Sequence, residues 1–334
     1  MKAFYLNKSR KLEYGEFLMP KPKKGEALIK VKACALNHLD LHLAKSVYEI
    51  PLPHILGSDV SGLVEEINGK SKLQVGDEIL VNPAIPCGVC PRCKKGLSCE
   101  IVIIFGYKTP GGYAEYVTVP IEQLYPKPKN FSFIEAAAFP LTFLTAYHML
   151  VGRANLQKGE IVFVWGASGG LGSAAIQIAK NLGAKIIAAA GTDEDAKKIK
   201  AMGTNHVINY RNQNVEHAIK KLTNNEKVDV VFESIGAKTW NTSLAIVKPQ
   251  GRVVIAGTTS GALASQDLSD VYYYQQTILG CRMGTKEEFG HVLKLAETGK
   301  LKPIIDTVFP LKDADKALKR LEESKQMGKI VLEI

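Results

Sequence analysis

The stretch Ile161–Thr192 constrains this chain more than any other part of it. It opens with an apolar run, Ile161–Trp165, that predicts a buried parallel strand. The segment GASGGLG follows at 166–172, and apolar residues then recur at helical spacing until Gly183. A second apolar run, Lys185–Ala190, predicts the next strand. The stretch therefore predicts a βαβ unit whose glycines let backbone N–H groups bind a pyrophosphate at the helix N-terminus.

The pattern of this unit continues along the chain, so residues 131–284 predict a doubly wound parallel sheet. Further strands are predicted at His206–Tyr210, Val228–Ser234, Arg252–Gly257 and Thr277–Cys281. Helical patterns alternate with them at Glu194–Met202, Val215–Leu222 and Thr239–Val247. The turn residues predicted to contact a dinucleotide are Gly166, Ala167, Ser168, Gly169, Gly170 and Leu171.

Residues 1–130 show short alternating runs and little helical periodicity, which predicts a separate, mostly β domain. The clearest predicted strands are Ala27–Ala35, Val60–Ile67, Glu78–Val81 and Gly111–Val119. A chain of 334 residues is long enough for two such domains. The predicted class is therefore α/β, with a β domain and a dinucleotide-binding domain.

Four of the six cysteines lie in one short window, as Cys87, Cys90, Cys93 and Cys99. Thiolates at this spacing converge on one tetrahedral ion, and four of them leave no position for water. The window predicts a structural zinc site; a pair of disulfides or free thiols is the alternative, and a cytoplasmic setting disfavours disulfides. The isolated Cys34 and Cys281 are predicted to be buried small apolar residues.

Charge and hydropathy indicate the cellular location of the protein and the kind of ligand it binds. No apolar run is long enough to span a bilayer, and the N-terminal MKAFYLNKSRK lacks the apolar core of a signal peptide, so a cytoplasmic protein is expected. The net charge of +10 is consistent with acidic ligands such as nucleotides, but a lysine-rich surface explains it better because no dense basic run occurs.

Several motifs together resemble the medium-chain dehydrogenase/reductase superfamily over essentially the whole chain. They are VGDEIL at 75–80, GGYAEY at 111–116, AAAFP at 136–140 and GKIV at 328–331. The resemblance implies a GroES-like catalytic domain at 1–130, a Rossmann domain at 131–284 and a C-terminal segment, 285–334, that folds back onto the first domain. It also implies a homodimer or homotetramer.

The three ligands of the catalytic zinc found in alcohol dehydrogenases of this family are missing. By resemblance, Asn37 and Ser58 occupy the positions of a cysteine and a histidine, and Leu141 that of the later cysteine. Leu39 replaces the hydroxyl of the proton relay. These side chains cannot build a tight zinc site. The alternative is an unconventional metal site formed by His42, His54 and Asp59.

The segments NHLD at 37–40, GSD at 57–59 and PLTFLTAY at 140–147 resemble the quinone oxidoreductase and enoyl reductase branch. Members of that branch transfer hydride from NADPH to a quinone or an activated C=C bond, and they commonly lack the four-cysteine lobe. Hydrogen-bond donors must then stabilise the carbonyl oxygen. The predicted donors are Asn37 and Thr142, with Asp40 orienting its neighbours and His42 connected to solvent protons. A purely structural loop at 37–42 is the alternative.

The predicted cofactor is NADP(H), with NAD(H) as the alternative. Ala190 stands where NAD-preferring domains place an acidic residue, and Asp195 stands where quinone reductases often have a lysine. The predicted cofactor donors after this strand are Thr192, Lys197, Lys198, Tyr210 and Arg211. The other residues assigned to the cofactor are Thr145, Gly191, Ser234, Gly257, Thr258, Cys281, Met283 and Lys329, the last either on a phosphate or as a surface lysine.

Two rival functions stay open at this point. One is a carbonyl reductase or alcohol dehydrogenase of the same superfamily. The other is a non-catalytic NADP-binding protein that binds RNA through its basic surface; its only aromatic cluster, Tyr272–Tyr274, is predicted to pack in the helical layer of the sheet. We therefore expect a small carbonyl, enone or quinone as the partner, rather than nucleic acid or a membrane.

Overall fold

The computed structural model describes residues 1–95 and 99–334. It contains two compact units, Met1–Leu141 with Thr285–Ile334, and Thr142–Gly284. The first unit is thus built from two separate lengths of chain. It also contains residues 131–141, which were predicted to open the second domain, because Ala137 and Ala138 pack against Ala33, Ala35 and Val331 of the first unit.

The β-strands follow the chain through both units. They are β1 Lys2–Leu6, β2 Leu12–Glu16, β3 Glu26–Ala35, β4 His54–Ile55, β5 Asp59–Asn68, β6 Glu78–Val81, β7 Ala84–Ile85, β8 Ile103–Ile104, β9 Tyr116–Pro120, β10 Leu124–Pro126, β11 Ile161–Val164, β12 Lys185–Ala190, β13 His206–Asn209, β14 Val228–Glu233, β15 Val247–Ile255, β16 Thr277–Gly280, β17 Ile305–Pro310 and β18 Lys329–Glu333.

The α-helices are mostly short. They are α1 His38–Ala44, α2 Pro91–Lys94, α3 Phe133–Ala138, α4 Pro140–Tyr147, α5 Gly170–Asn181, α6 Asp193–Ala201, α7 Val215–Leu222, α8 Trp240–Ile246, α9 Leu268–Tyr273, α10 Lys286–Glu297 and α11 Ala314–Glu322. A π-helical turn covers His148–Arg153, and 3₁₀ turns cover Ile121–Gln123 and Leu311–Asp313. Within residues 1–95 and 99–334, no helix has both the length and the apolar character needed to cross a membrane.

The main sheet of the first unit has the strand order β10-β6-β5-β3-β18-β17, and β9 also pairs with β3. The late strand β18 lies between β3, to which it is antiparallel, and β17, to which it is parallel. Strands β2-β1-β4 form a second sheet, and β7 pairs with β8. Buried side chains of this unit, including Leu6, Ile29, Phe105 and Tyr113, form its core. The predicted mostly β domain is confirmed.

The second unit is a parallel sheet with the order β13-β12-β11-β14-β15-β16. Every residue of β14 is buried, as expected for a central strand of such a sheet. Polar residues begin the helices that connect the strands: the Thr192 hydroxyl accepts from the Asp195 N–H before α6, and the Asn214 side chain accepts from the His217 N–H before α7. The predicted parallel-sheet fold is confirmed.

The segment predicted as one strand over Gly111–Val119 becomes a strand only at Tyr116. Its glycines instead bond to the backbone around residue 56, Gly111 N–H to the Ile55 carbonyl at 2.8 Å and Gly112 N–H to the Gly57 carbonyl at 2.9 Å. A Cβ on Gly111 would overlap the Leu56 carbonyl oxygen, so this approach requires glycine.

Two predictions of burial are wrong. Tyr272 and Tyr273 are 73% and 75% exposed, because α9 buries none of its residues. Tyr274 is half-buried, with the Lys227 ammonium 5.2 Å from its ring centroid. Cys281 is only half-buried, whereas Cys34 is fully buried as predicted.

Candidate functional site

Three strands of the first unit bring polar side chains to one end of its main sheet. Ala35, the last residue of β3, pairs on one side with Asp59, the first residue of β5. On its other side Ala35 pairs with Val331 of β18, the strand that begins at Lys329. Asn37 follows β3 directly. The register therefore places Asn37, Asp59 and Lys329 together, although they lie far apart in the sequence.

The Lys329 ammonium is buried, 5% exposed, and donates to three oxygens. They are the Leu36 carbonyl at 2.7 Å, Asn37 Oδ1 at 2.6 Å and Asp59 Oδ2 at 3.0 Å. An ammonium has three N–H donors, so all of them are used. This corrects the suggestion that Lys329 binds a cofactor phosphate or lies on the surface.

The Asn37 amide lies between the ammonium and the Asp59 carboxylate. Its Nδ2 donates to Asp59 Oδ2 at 2.9 Å, and the Leu141 N–H donates to Asp59 Oδ1 at 2.8 Å. The amide nitrogen has a second N–H, which has no acceptor among the described residues. The nearby Ser58 hydroxyl is 1% exposed and also has no hydrogen-bond partner in the described chain. Unpaired buried groups of this kind are rare and mark a place for a ligand or water.

Asp40 holds the loop that carries Asn37. Its carboxylate accepts from the Asn37 N–H at 2.8 Å, the Tyr113 hydroxyl at 3.0 Å and the Gly57 N–H at 3.2 Å. Burial raises the pKa of Asp40 to about 6, although the hydrogen bonds from Asn37 and Tyr113 act in the opposite direction. Sequence reasoning did not single out Tyr113; its place in GGYAEY was the available signal.

The histidines do not assemble the unconventional metal site that was kept as an alternative. His54 Nε2 lies 3.0 Å from the Gly106 carbonyl, and Asp59 is occupied by Asn37, Lys329 and Leu141. His42 is half-buried, and burial lowers its pKa. In the described part of the chain, the group of metal-ligating side chains that does assemble is the cysteine group.

His38 should make the protein less stable in acid. Burial, with the His42 and Lys329 charges, lowers the pKa of His38 to about 4 from 6.5. The folded state then binds fewer protons than the unfolded state between pH 4 and 6.5, so stability falls as pH falls through this range. Urea unfolding at pH 7 and pH 4 measures this effect. Between these two pH values, the unfolding free energy of the wild type should fall by about 3 kcal/mol more than that of His38→Gln. Parallel pH profiles would contradict this.

The four sulfurs of Cys87, Cys90, Cys93 and Cys99 lie within 4.8 Å of one another, and those of Cys87 and Cys93 are 3.9 Å apart. Tetrahedral Zn–S bonds of about 2.3 Å require sulfurs about 3.8 Å apart. Backbone N–H groups lower the pKa of Cys90 to about 6, whereas burial raises that of Cys93 to about 12. The cluster thus fits a metal ion, which would let all four thiols ionise.

The glycine turn of the second unit lies between β11 and α5. Gly166 adopts a φ of +61°, which favours glycine, and Gly169 is the N-cap of α5. A Cβ on Gly172 would overlap the Gly166 carbonyl oxygen, so the helix packs directly on the turn. The turn residues Gly166–Leu171 therefore border a helix N-terminus at the carboxyl end of the sheet, where parallel sheets bind ligands.

The carboxyl ends of neighbouring strands carry further predicted cofactor residues. Gly191 follows β12, and the side chains of Tyr210 and Arg211 lie close to it. A Cβ added to Gly191 would be 2.8 Å from the Tyr210 hydroxyl oxygen and 3.8 Å from Arg211 Nε. Ser234 follows β14, and Gly257 and Thr258 follow β15. Lys197 is exposed on α6, and the Thr192 hydroxyl is used in capping α6 with Asp195.

A second group of predicted cofactor residues is also brought together in this unit. The Thr145 hydroxyl lies 3.7 Å from Met283 Sδ, and Cys281 Sγ lies 4.0 Å from the Thr145 carbonyl oxygen. Thr142, predicted as a catalytic donor, is buried near the start of α4. Sequence reasoning missed Glu233, a buried carboxylate that accepts from the Ile235 and Gly236 N–H groups and so fixes the loop after Ser234.

Comparison with known proteins agrees with these two units. Residues 23–129 match the alcohol dehydrogenase GroES-like domain, and residues 170–298 match the zinc-binding dehydrogenase domain. A quinone oxidoreductase of Pongo abelii is 31% identical over 327 residues, which cover 95% of this chain and 92% of that protein.

Solved structures resemble the chain over almost its whole length. A crystal structure of an NAD-dependent alcohol dehydrogenase has a TM-score of 0.96 and 38% identity, with all of both chains covered. A 2-octenoyl-CoA carboxylase reductase, solved with NADP and 2-octenoyl-CoA, has a TM-score of 0.90 and 30% identity, covering 99% of this chain and 87% of that one.

The fold and these matches define an enzyme, an oxidoreductase that depends on a nicotinamide cofactor. The chain belongs to the zinc-type alcohol dehydrogenase-like medium-chain dehydrogenase/reductase superfamily.

Proposed function

We propose that this enzyme transfers hydride from NADPH to a quinone or to the C=C bond of an α,β-unsaturated carbonyl, with no metal ion at the reacting oxygen. The observation that carries the proposal is the cluster of Asn37, Asp59 and Lys329. By resemblance, Asn37 and Ser58 occupy two of the positions that hold catalytic zinc ligands in alcohol dehydrogenases of this family. The cluster that contains Asn37 is organised by a lysine ammonium rather than by thiolates and imidazole.

The proposed chemistry needs a hydrogen-bond donor at the carbonyl oxygen. Hydride adds to the carbon β to the carbonyl, negative charge develops on the oxygen, and a proton from solvent then adds to the α carbon. The free Nδ2–H of Asn37 is the proposed donor. The assisting role predicted for the Thr142 hydroxyl, which lies in the second unit, stays a prediction. Asp40 positions Asn37 through its backbone N–H. The half-buried His42 is the proposed connection to solvent protons.

NADP(H) is the proposed cofactor. Ala190 ends β12 without a carboxylate that would repel a 2′-phosphate, and Tyr210 and Arg211 lie beside the adjacent Gly191. The similar carboxylase reductase was solved with NADP, which supports this choice. NAD(H) is the alternative, because the similar alcohol dehydrogenase is NAD-dependent.

One structural zinc ion per chain is proposed at Cys87, Cys90, Cys93 and Cys99. The four sulfurs fill a tetrahedral shell, so the ion would stabilise the lobe and take no part in hydride transfer. Metal analysis of the purified protein should find about one zinc ion per chain.

The predicted homodimer or homotetramer stays a prediction, which light scattering checks.

Product analysis tests the proposed reaction. We expect 4-phenylbut-3-en-2-one with NADPH to give 4-phenylbutan-2-one, the product of C=C reduction, and to give it more slowly with NADH. Mild chelation should leave the rate unchanged as long as the protein stays folded. The allylic alcohol 4-phenylbut-3-en-2-ol would instead identify a carbonyl reductase, the alternative favoured by the similar alcohol dehydrogenase. Loss of activity on chelation without unfolding would contradict the metal-free mechanism.

A further inference from the structure

We propose that Lys329 is a positioning residue, whose ammonium orients the Asn37 amide so that one Nδ2–H is presented to the substrate oxygen. The inference rests on the proposed function for the role of that N–H. Lys329 does not itself contact the substrate, because its three donors are used on Leu36, Asn37 and Asp59. It acts through Asn37.

A side-chain amide can face its neighbours in two ways, which exchange the positions of its oxygen and its nitrogen. An ammonium only donates hydrogen bonds, and an ionised carboxylate only accepts them. Lys329 therefore requires the oxygen of Asn37 on its side, at 2.6 Å, and Asp59 requires the nitrogen on its side, at 2.9 Å. The reversed amide would place N–H groups against the ammonium and oxygen against the carboxylate. The two charges thus select one orientation.

This orientation determines what the amide offers to a ligand. Asn37 Oδ1 is occupied by the ammonium, and one Nδ2–H is occupied by Asp59. The group that is left is a donor, which suits a developing oxyanion. A hydrogen bond from an ammonium to the amide oxygen also withdraws electron density and strengthens the N–H donors. Lys329 therefore places positive charge behind the donor without reaching the oxygen.

The rest of the cluster keeps this arrangement rigid. The Leu141 N–H occupies the other oxygen of Asp59 at 2.8 Å, so the carboxylate cannot turn freely. The Lys329 backbone N–H donates to the Ile304 carbonyl at 2.8 Å, which anchors the start of β18. Asn37 is held at its own backbone by Asp40.

A double-mutant cycle tests the inference. Lys329→Met keeps the length of the side chain and removes the charge. We expect it to lower kcat for reduction of 4-phenylbut-3-en-2-one at least about 10-fold, with the KM for NADPH within about twofold. In the Asn37→Ala background the same change should lower kcat by less than about twofold, because the amide on which Lys329 acts is gone. Equal factors in both backgrounds would overturn the inference.

Two further variants separate positioning from stability. Lys329→Met leaves Asp59 without its cation, so the double variant Asp59→Asn/Lys329→Met, which removes both charges, is measured beside it. The double variant should fold, and its kcat should be reduced as much as that of Lys329→Met. Lys325→Met changes an exposed lysine near β18 and should retain wild-type kcat. Wild-type kcat in a folded Asp59→Asn/Lys329→Met protein would also overturn the inference.

Nuclear magnetic resonance gives a readout that does not depend on activity. The Asn37 side-chain N–H pair is identified in protein labelled with ¹⁵N at asparagine, as the signal lost in Asn37→Ala. In Lys329→Met this pair should shift and exchange faster with water, whereas an unchanged pair would show that Lys329 does not orient the amide. If the wild type reduces neither bond of the enone nor 1,4-naphthoquinone, the proposed function fails, and the amide signal still decides the orientation.

Discussion

Alanine at position 172 is expected to weaken binding of the nicotinamide nucleotide strongly. A Cβ there would overlap the Gly166 carbonyl oxygen and lie 2.7 Å from Ala167 Cα and from the Gly166 carbonyl carbon. All three are backbone atoms, so no side-chain rotation relieves the contact, and the turn must move away from the start of α5. Because a hydrogen bond to a charged group contributes about 1.5–3 kcal/mol and about 1.4 kcal/mol is tenfold in affinity, the loss of two such bonds to the pyrophosphate should raise the Kd for NADPH at least about 100-fold in Gly172→Ala.

The measurement is the fluorescence of bound NADPH, with circular dichroism to show that the variant is folded. Gly290→Ala is the matched control, because Gly290 lies inside α10 and an added Cβ would meet nothing within 4 Å. It should bind NADPH like the wild type and gain up to about 1 kcal/mol of stability from higher helix propensity. A folded Gly172→Ala protein that binds NADPH normally would show that this turn is not the nucleotide site.

Asn37→Ala is expected to lower kcat about 100- to 1000-fold, the usual effect of removing one donor from an oxyanion site. The KM for NADPH should stay within about twofold, since the glycine turn is unchanged. The substitution also leaves the Lys329 ammonium and the Asp59 carboxylate each short of a partner, which should cost about 1–3 kcal/mol of stability. Steady-state kinetics with the enone, at a temperature well below unfolding, measures the effect.

Asn130→Ala is the control for this second experiment. Asn130 is an exposed residue in the same unit; its amide makes a partly buried hydrogen bond to the Ala296 carbonyl at 3.0 Å, and it belongs to no proposed site. Loss of this hydrogen bond in Asn130→Ala should reduce the stability of the protein and leave kcat unchanged. If Asn37→Ala and Asn130→Ala retained equal activity, residues 37–42 would be the structural loop that the sequence left as the alternative.

Much of the second unit could be predicted because its signals are local. Helix α7 at Val215–Leu222 and strand β12 at Lys185–Ala190 have the bounds that their periodicity predicts. The cysteine cluster is local in the same sense, since its spacing alone brings four thiols to one place. The helix α1 was missed because seven residues are too few to establish a helical period.

The candidate active site could be predicted only in part, because its decisive contacts are not local. Lys329 meets Asp59 and Asn37 across 270 and 292 residues of sequence. The sequence indicates its strand by the GKIV motif at 328–331, and a motif says nothing about which strand lies beside it. Only the pairing of β18 with β3 shows that this lysine is buried against an amide and a carboxylate.

The position of β18 in the sheet also sets an order of events during synthesis. Thr142–Gly284 is continuous, so this unit has all its strands as soon as its own length has left the ribosome. The other unit starts first and is completed last, because Ala33–Ala35 of β3 lack their partner β18 until the residues after Gly284 have been made. During that interval Asn37 and Asp59 lack their cation. The nascent chain therefore acquires a nucleotide-binding fold before it acquires the site proposed to act on the substrate.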